Sequence, residues 1–429
     1  MFRARERGVN VARVQVLVRF RSRHLAGIAS LLFLGASVSQ VEAMRRVQSA
    51  GHRVVAVDGD PAAVGFAVAD EWACIDFGAD VDAVAEFAAR ASVSGVLAIS
   101  TDRAVPVAAE LAERLGLAGP GRETARAMTD KAVMRATLER HGLAQPRFAV
   151  VGEDADLRAA LAQVGLPAVL KPVDSGGQRG LSLCLNEHDL ERALAAARAF
   201  SPSGRVLLES YISGSELNAI VVACDGIAEV VTLSDRLRPP GIGFGVGWAH
   251  LYPSTLAPQQ LERAGDVARR AVEVLGLQNG IAFPQLLARG DEIFVVEVAA
   301  RIPAGQMADL VRIGTGVDLV AIAVDLALGL PVERARCRPR YEQPLAIRFL
   351  TAKPGVLPTG RVVAIEGLER IAESPGIVKT ALYMQVGETI RPVQVDADRR
   401  GYVIAVANDA TRALTLADRA AKELKVTAV

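Results

Sequence analysis

PAVLKPVDSGGQRGLSLCL, residues 167–185, is the stretch that decides the fold. It reads as a short apolar strand that ends on Lys171, a loop with Gly176, Gly177 and Gly180, and a second strand. Glycines let a backbone come close to a polyphosphate, and the loop N–H groups can bind the anion. A lysine directly before such a loop reaches the same phosphates. The segment therefore reads as a phosphate cradle between two strands.

Working outward, the helix TARAMTDKAVMRATLERHG (124–142) precedes it and carries Asp130–Lys131 inside a helix. Behind it come a long alanine-rich helix to about Phe200, the strand RVLLESYI, an acidic turn and the strand ELNAIVVAC. Farther on, GIAFPQLLA and EIFVVEVAAR form a strand pair joined by a short turn. This pair delivers Glu297 and, four residues on, Arg301. A carboxylate on a rigid strand suits Mg²⁺ bound to ATP, which takes one or two carboxylates plus phosphate oxygens. Arg301 can hold a carboxylate or phosphate bidentately. Each motif is unspecific alone; their order and spacing carry the reading.

Upstream, LLFLGAS, the helix SQVEAMRRVQSAG and HRVVAVD alternate as strand, helix and strand, with a further βα unit at GVLAIS. This predicts a small doubly wound α/β domain over 31–120. GxGxxG is absent from its first turn, which argues against a nicotinamide enzyme. Residues 121–330 read as a second domain with two lobes, and 331–429 as a smaller α+β domain. Residues 1–30 are expected to be a disordered extension or an upstream start. No stretch is apolar for the ~20 residues a membrane span needs.

Composition agrees. The chain has 429 residues, 51% of them hydrophobic, and a formal net charge of +1. That balance disfavours a nucleic-acid surface and a polybasic membrane anchor. The four cysteines form no CxxC pair, which argues against a structural zinc site or a disulfide framework and fits a reducing cytoplasm. Only six of the 49 basic residues are lysines. The two before residue 353 are Lys131 and Lys171, both inside the motifs above.

The order of these segments resembles the ATP-grasp superfamily over about residues 31–330. The resemblance implies an ATP-grasp fold of mixed α/β and α+β class, with a Rossmann-like pre-ATP-grasp domain in front and a small C-terminal α+β domain. It implies ATP and Mg²⁺ as cofactors, with Mn²⁺ as a substitute. By the same resemblance, Lys131 and Lys171 contact phosphates, and Ser175, Gly176, Gly177 and Gly180 form the phosphate loop. The backbone from Glu209 through Ser210, Tyr211 and Ile212 would meet adenine, and Glu216 the ribose. Glu297 would bind the metal, with Gln285 standing where most members place a second glutamate. Ala299 stands where many place a metal-binding asparagine. Arg301 would act on the substrate side, with Gly305 beyond it. Arg301 and Lys171 are the catalytic candidates.

Within the superfamily, E-x-A-A-R is most similar to the L-amino-acid ligases, which make dipeptides. The reaction implied is ATP-dependent joining of a carboxylate to an amine through an acylphosphate, releasing ADP and phosphate. The implied partners are a small carboxylate and a small amine, amino acids foremost, with no nucleic acid and no membrane; a homodimer is compatible. A carboxylase-type or purine-biosynthesis member and a nucleotide-binding protein with little catalysis are the alternatives. Pro239–His250, with Gly241, Gly243, Gly245 and Gly247, reads as a substrate-side loop in which Trp248, Phe244 and His250 could line a pocket. Ser37 and Asp102, at strand ends, are further candidates for substrate contact.

Overall fold

The computed structural model describes residues 27–152, 157–238 and 244–429. Residues 1–26 of the expected N-terminal extension and part of the glycine-rich loop lie outside them, and Ser30 already belongs to the first strand. The chain divides into two compact units. Of the described residues, one unit comprises those from 27 to Asp235 and Ser254–Glu342, the other Arg236–Pro253 and Gln343–Val429.

The larger unit opens with a four-stranded parallel sheet in the order Glu71–Cys74, Arg53–Asp58, Ser30–Leu34, Gly95–Leu97. Ser30–Leu34 is buried along its whole length, which is why it lacks polar alternation. Its turn is braced from within: Gly35 has φ +108°, and the Ala36 N–H donates to Asp58 Oδ2 at 2.7 Å. Asp58 thus holds a backbone turn. Ser37 caps the helix Val38–Ser49 in a reciprocal box with Gln40. Gln40 Nε2 donates onward to the Ile99 carbonyl at 3.0 Å. The Glu71–Cys74 edge strand was not legible beforehand, because four residues carry too short a pattern.

A second sheet, antiparallel, has the order Phe148–Val151, Val206–Ser210, Ala168–Pro172, Ser182–Cys184. The helices Leu157–Val164 and Leu190–Ala199 pack on it through Val164, Ala193 and Ala197. Further strands run antiparallel in the order Glu292–Ala299, Gly280–Arg289, Ser215–Cys224, Ile227–Leu237. The helix Pro258–Val274 covers one face of these with Ala264, Ala268 and Val272.

The expected helix 124–142 is two helices, Arg122–Ala127 and Lys131–Arg140. The reason is Asp130, whose carboxylate accepts the N–H groups of Ala132 and Val133 at 2.9 and 3.1 Å. It is an N-cap. Lys131 is consequently the first residue of a helix rather than an interior one. A helix at Met307–Thr315, absent from the sequence reading, follows Arg301.

In the smaller unit, Ala249–Tyr252, Leu345–Phe349, Gly401–Val406 and Ile377–Leu382 pair antiparallel in that order. The helix Ala410–Glu423 packs with Ala413, Ala417 and Ala420 buried. A three-stranded sheet, Thr389–Ile390, Gly360–Glu366 and Lys425–Ala428, completes it. No helix among the described residues is long and apolar enough to cross a membrane.

Candidate active site

Three charged groups meet inside the larger unit. Glu209, on Val206–Ser210, is buried and accepts from Lys171 Nζ at 2.7 Å and from Arg135 Nε at 2.6 Å. Lys171 lies opposite Leu207 on the neighbouring strand, and Arg135 projects from the helix Lys131–Arg140. Burial opposes the Glu209 charge, but the two cations hold its carboxyl below the usual range. Burial pushes the Lys171 ammonium below its ordinary value, with Glu209 opposing that shift.

Arg135 was missed in the sequence, although it lies four residues after Lys131 and therefore on the same helix face. It does more than pair with Glu209. Its Nη1 donates to the Val295 carbonyl at 2.9 Å and its Nη2 to the Val296 carbonyl at 2.5 Å. Successive carbonyls of one strand normally point opposite ways. Here the register between Gly280–Arg289 and Glu292–Ala299 shifts at Val296, so both carbonyls are reached. Arg135 thus ties the helix, the Glu209 strand and the Glu297 strand together. Arg135→Ala leaves a buried carboxylate with one cation and takes a donor from each of two carbonyls. It is expected to destabilise the fold by about 3–5 kcal/mol, read as a lower urea midpoint.

Lys131 is buried, and its Nζ lies 2.9 Å from Glu297 Oε1 and 2.8 Å from the Ser175 carbonyl. Burial disfavours its charge, but Glu297, Asp102 and Glu209 together raise its pKa. One ammonium therefore joins the metal-candidate carboxylate to the loop. Within the loop, Gly177 and Gly180 have φ +69° and +70°. A Cβ at Gly176 would run into Asp102 Oδ2, so the loop is packed against that carboxylate and a side chain there would have to displace it. Asp102 Oδ1 accepts from Arg301 Nε at 2.7 Å. Burial works against the Asp102 charge, yet Arg301 and Lys131 hold its pKa below the ordinary value.

Gln285 is directly opposite Glu297 on one side and Asn218 on the other. Directly paired residues share a face of a sheet. Asn218, Gln285 and Glu297 therefore form a row of two amides and one carboxylate, beside the loop that Lys131 contacts. Among the described residues no cluster of three or more acidic, His or Cys side chains could hold a metal. The row nonetheless fits Mg²⁺ carried largely by phosphate oxygens, because that ion needs few protein carboxylates. Asn218 was not singled out in the sequence; its signal is the two-residue spacing from Glu216, which puts both on that face.

The remaining candidates are less concentrated. The N–H groups of Ser210 and Tyr211 donate to the carbonyls of Arg147 and Pro167, both at 2.9 Å, and Ile212 is buried. Glu216 is half-buried opposite Leu287. Gly305 has φ +72° in the turn after Arg301. Trp248 and His250 belong to the smaller unit. There Trp248 carries the Arg348 guanidinium 3.7 Å from its ring centroid, and His250 meets Phe349 edge-on at 5.3 Å. Ser37 is engaged in its helix cap, as described.

Residues 136–305 match the ATP-grasp domain family, and residues 348–429 match L-amino acid ligase C-terminal domain 2. A formate-dependent phosphoribosylglycinamide formyltransferase of Burkholderia thailandensis is 31% identical over 323 residues, covering 72% of this chain and 77% of that protein. The uncharacterized protein y4rH of Sinorhizobium fredii is 29% identical over 397 residues, covering 90% of this chain and 79% of its own. The structure of an L-amino acid ligase from Bacillus licheniformis superposes with a TM-score of 0.80 at 20% identity, covering 94% of this chain and 99% of that one.

Proposed function

Because the chain belongs to the ATP-grasp family of carboxylate–amine ligases, we propose that it joins an amino acid to an amine through an acylphosphate. A substrate carboxylate oxygen attacks the γ-phosphorus of ATP, and ADP leaves. The amine then attacks the acyl carbon, phosphate leaves with the bonding electrons, and the nitrogen loses a proton. The observation that carries this reading is the connected set Lys131, Glu297, the Ser175 carbonyl, Asp102 and Arg301, which brings the cation, carboxylate and loop of the sequence reading together.

Phosphoryl transfer needs positioning and charge neutralisation more than covalent help. Lys131 and Lys171 supply positive charge beside the loop amides of Ser175 to Gly180. Arg301 holds the substrate carboxylate. Mg²⁺, held by Glu297 with Gln285 and Asn218, would neutralise phosphate charge. The Glu209–Ile212 strand end would carry adenine and Glu216 the ribose. The division into 31–120, 121–330 and 331–429 belongs to the same proposal.

The match of residues 348–429 to an L-amino acid ligase domain favours amino acids as substrates. The formyltransferase relative favours a second reading, with formate as the acid. A phosphate-release screen over amino-acid pairs, with formate and phosphoribosylglycinamide as one further pair and mass spectrometry of products, separates the two. Phosphate release with none of these pairs would refute both.

Gln285 adds an oxygen but no charge to the metal row. Gln285→Glu is expected to lower the Mg²⁺ concentration for half-maximal activity several-fold, since a carboxylate strengthens a hard-cation site. A Mg²⁺ titration of the two proteins checks this; an unchanged midpoint would place Gln285 away from the ion.

A further inference from the structure

Cys224 and Cys337 both belong to the larger unit, and both are buried. Cys224 ends the strand Ser215–Cys224, and Cys337 ends the 3₁₀ turn Arg334–Cys337. The sheet register and the ion pairs around it bring them together. Cys224 lies directly opposite Ile227, and Val222 opposite Glu229. Paired residues share a face, as do positions two apart on a strand, so Cys224 and Glu229 are on one face. Glu229 accepts from Arg334 Nε at 2.8 Å and from Arg338 Nη2 at 3.2 Å. These arginines bracket Cys337 and dock its turn against that face. Arg336 of the same turn pairs with Asp325 at 2.7 Å, which holds it from a second side. The outcome is direct contact: the two thiols hydrogen-bond to each other.

The two sulfurs differ in access. Cys337 is fully buried, whereas Cys224 contributes to the wall of a cavity of about 390 Å³ that Arg301 also lines. Asp225 and Asn279, both solvent-exposed, line the same cavity. A small oxidant in that space meets Cys224 first. Burial raises both thiols, that of Cys337 to about 12, which keeps them protonated and makes their oxidation slow. Their hydrogen bond lowers Cys224 and raises Cys337, so Cys224 carries the larger thiolate share.

We propose that Cys224 and Cys337 are a redox modification site, closing into a reversible disulfide when the protein meets a peroxide. The Cys224 sulfur attacks one oxygen of hydrogen peroxide. An S–O bond forms, the O–O bond breaks, and the departing hydroxide takes the thiol proton as water. The Cys337 sulfur then attacks the Cys224 sulfur of this sulfenic acid. The S–S bond forms, the S–O bond breaks, and hydroxide leaves as water with the Cys337 proton. Two thiols and one peroxide thus give a disulfide and two waters, and the sulfurs lose two electrons. The bridge spans positions 224 to 337, and such a long closed loop restricts the unfolded chain strongly.

The test uses full-length Cys74→Ser protein, so that the exposed thiol forms no links between molecules. It is treated with hydrogen peroxide, denatured, alkylated and digested without reductant. Mass spectrometry is expected to find a linked peptide pair joining Cys224 to Cys337, two hydrogens lighter than its parts and lost on adding dithiothreitol. Cys184 is expected to stay open to alkylation. The oxidised protein is expected to melt at least about 5 °C higher than the reduced one, and Cys337→Ala to show no such difference. Both thiols alkylated after peroxide, oxidation without a link, or a bridge to Cys184 overturns the proposal. A linked protein that melts no higher than the reduced one also overturns it, because the bridge then forms only outside the native arrangement. The mapping needs no turnover, so its result is independent of the ligase reading.

Discussion

Lys171→Ala is expected to cut phosphate release by about three orders of magnitude, on the scale of losing one preorganised charge at a developing anion, while the protein stays folded. The structure explains why the two effects separate. Lys171 is one of two cations on Glu209; when it is removed, Arg135 still pairs with that carboxylate at 2.6 Å. Arg135 therefore keeps Glu209 partnered, and the proposed mechanism assigns Lys171 to the phosphate loop that begins four residues later. Circular dichroism and urea melting monitor the fold, and a coupled phosphate assay monitors turnover. Near-normal turnover in a folded variant would remove Lys171 from the mechanism. A pH effect accompanies this. The cation is the working form, and burial lowers its pKa. Activity should therefore decline as pH rises through that lowered value, before an exposed lysine would titrate, and this alkaline limb should vanish from the residual activity of the alanine variant.

Glu297→Gln is expected to lower activity by about two to three orders of magnitude at limiting Mg²⁺, with partial recovery as Mg²⁺ is raised. Asn218 and Gln285 bring amide oxygens only, so Glu297 is the sole carboxylate in that row. Its loss leaves a hard cation without a charged protein ligand. The same change removes the partner of the Lys131 ammonium, which lies 2.9 Å away. Lys131 keeps the Ser175 carbonyl, so the loop stays tethered. A shift of the Mg²⁺ requirement to higher concentration is thus expected without loss of the helix. Full activity at low Mg²⁺ would locate the metal elsewhere.

Much of this arrangement is legible in the chain itself. Phosphate chemistry needs glycines, lysines and an acid at fixed points of strands and loops. Those residues stand out locally: SGGQRG behind Lys171, Asp130–Lys131 and EVAAR. The buried run of Leu31–Leu34 and the alternation of strands and helices mark the parallel sheet for the same reason, because each element carries its own period. The family membership follows from these local signals in order.

Other features depend on partners distant in sequence. Arg135 looks like any helix arginine until the bulge at Val296 presents two carbonyls, 160 and 161 residues away, to one guanidinium. Glu209 reads as a hinge residue, but its side chain is the shared anion of two buried cations. Asp102 and Gly176 were each singled out in the sequence, but only the structure shows that they meet, so that a side chain at the glycine would displace the carboxylate. The cavity beside Arg301 draws its wall from strands, a linker and a helix spread between Val96 and Val332. The sequence by itself determined the chemistry on offer, because the types and local spacing of residues are written in it. The tertiary structure alone decided which charges neutralise one another and which of them are buried, because burial and distance arise only when remote segments are brought together.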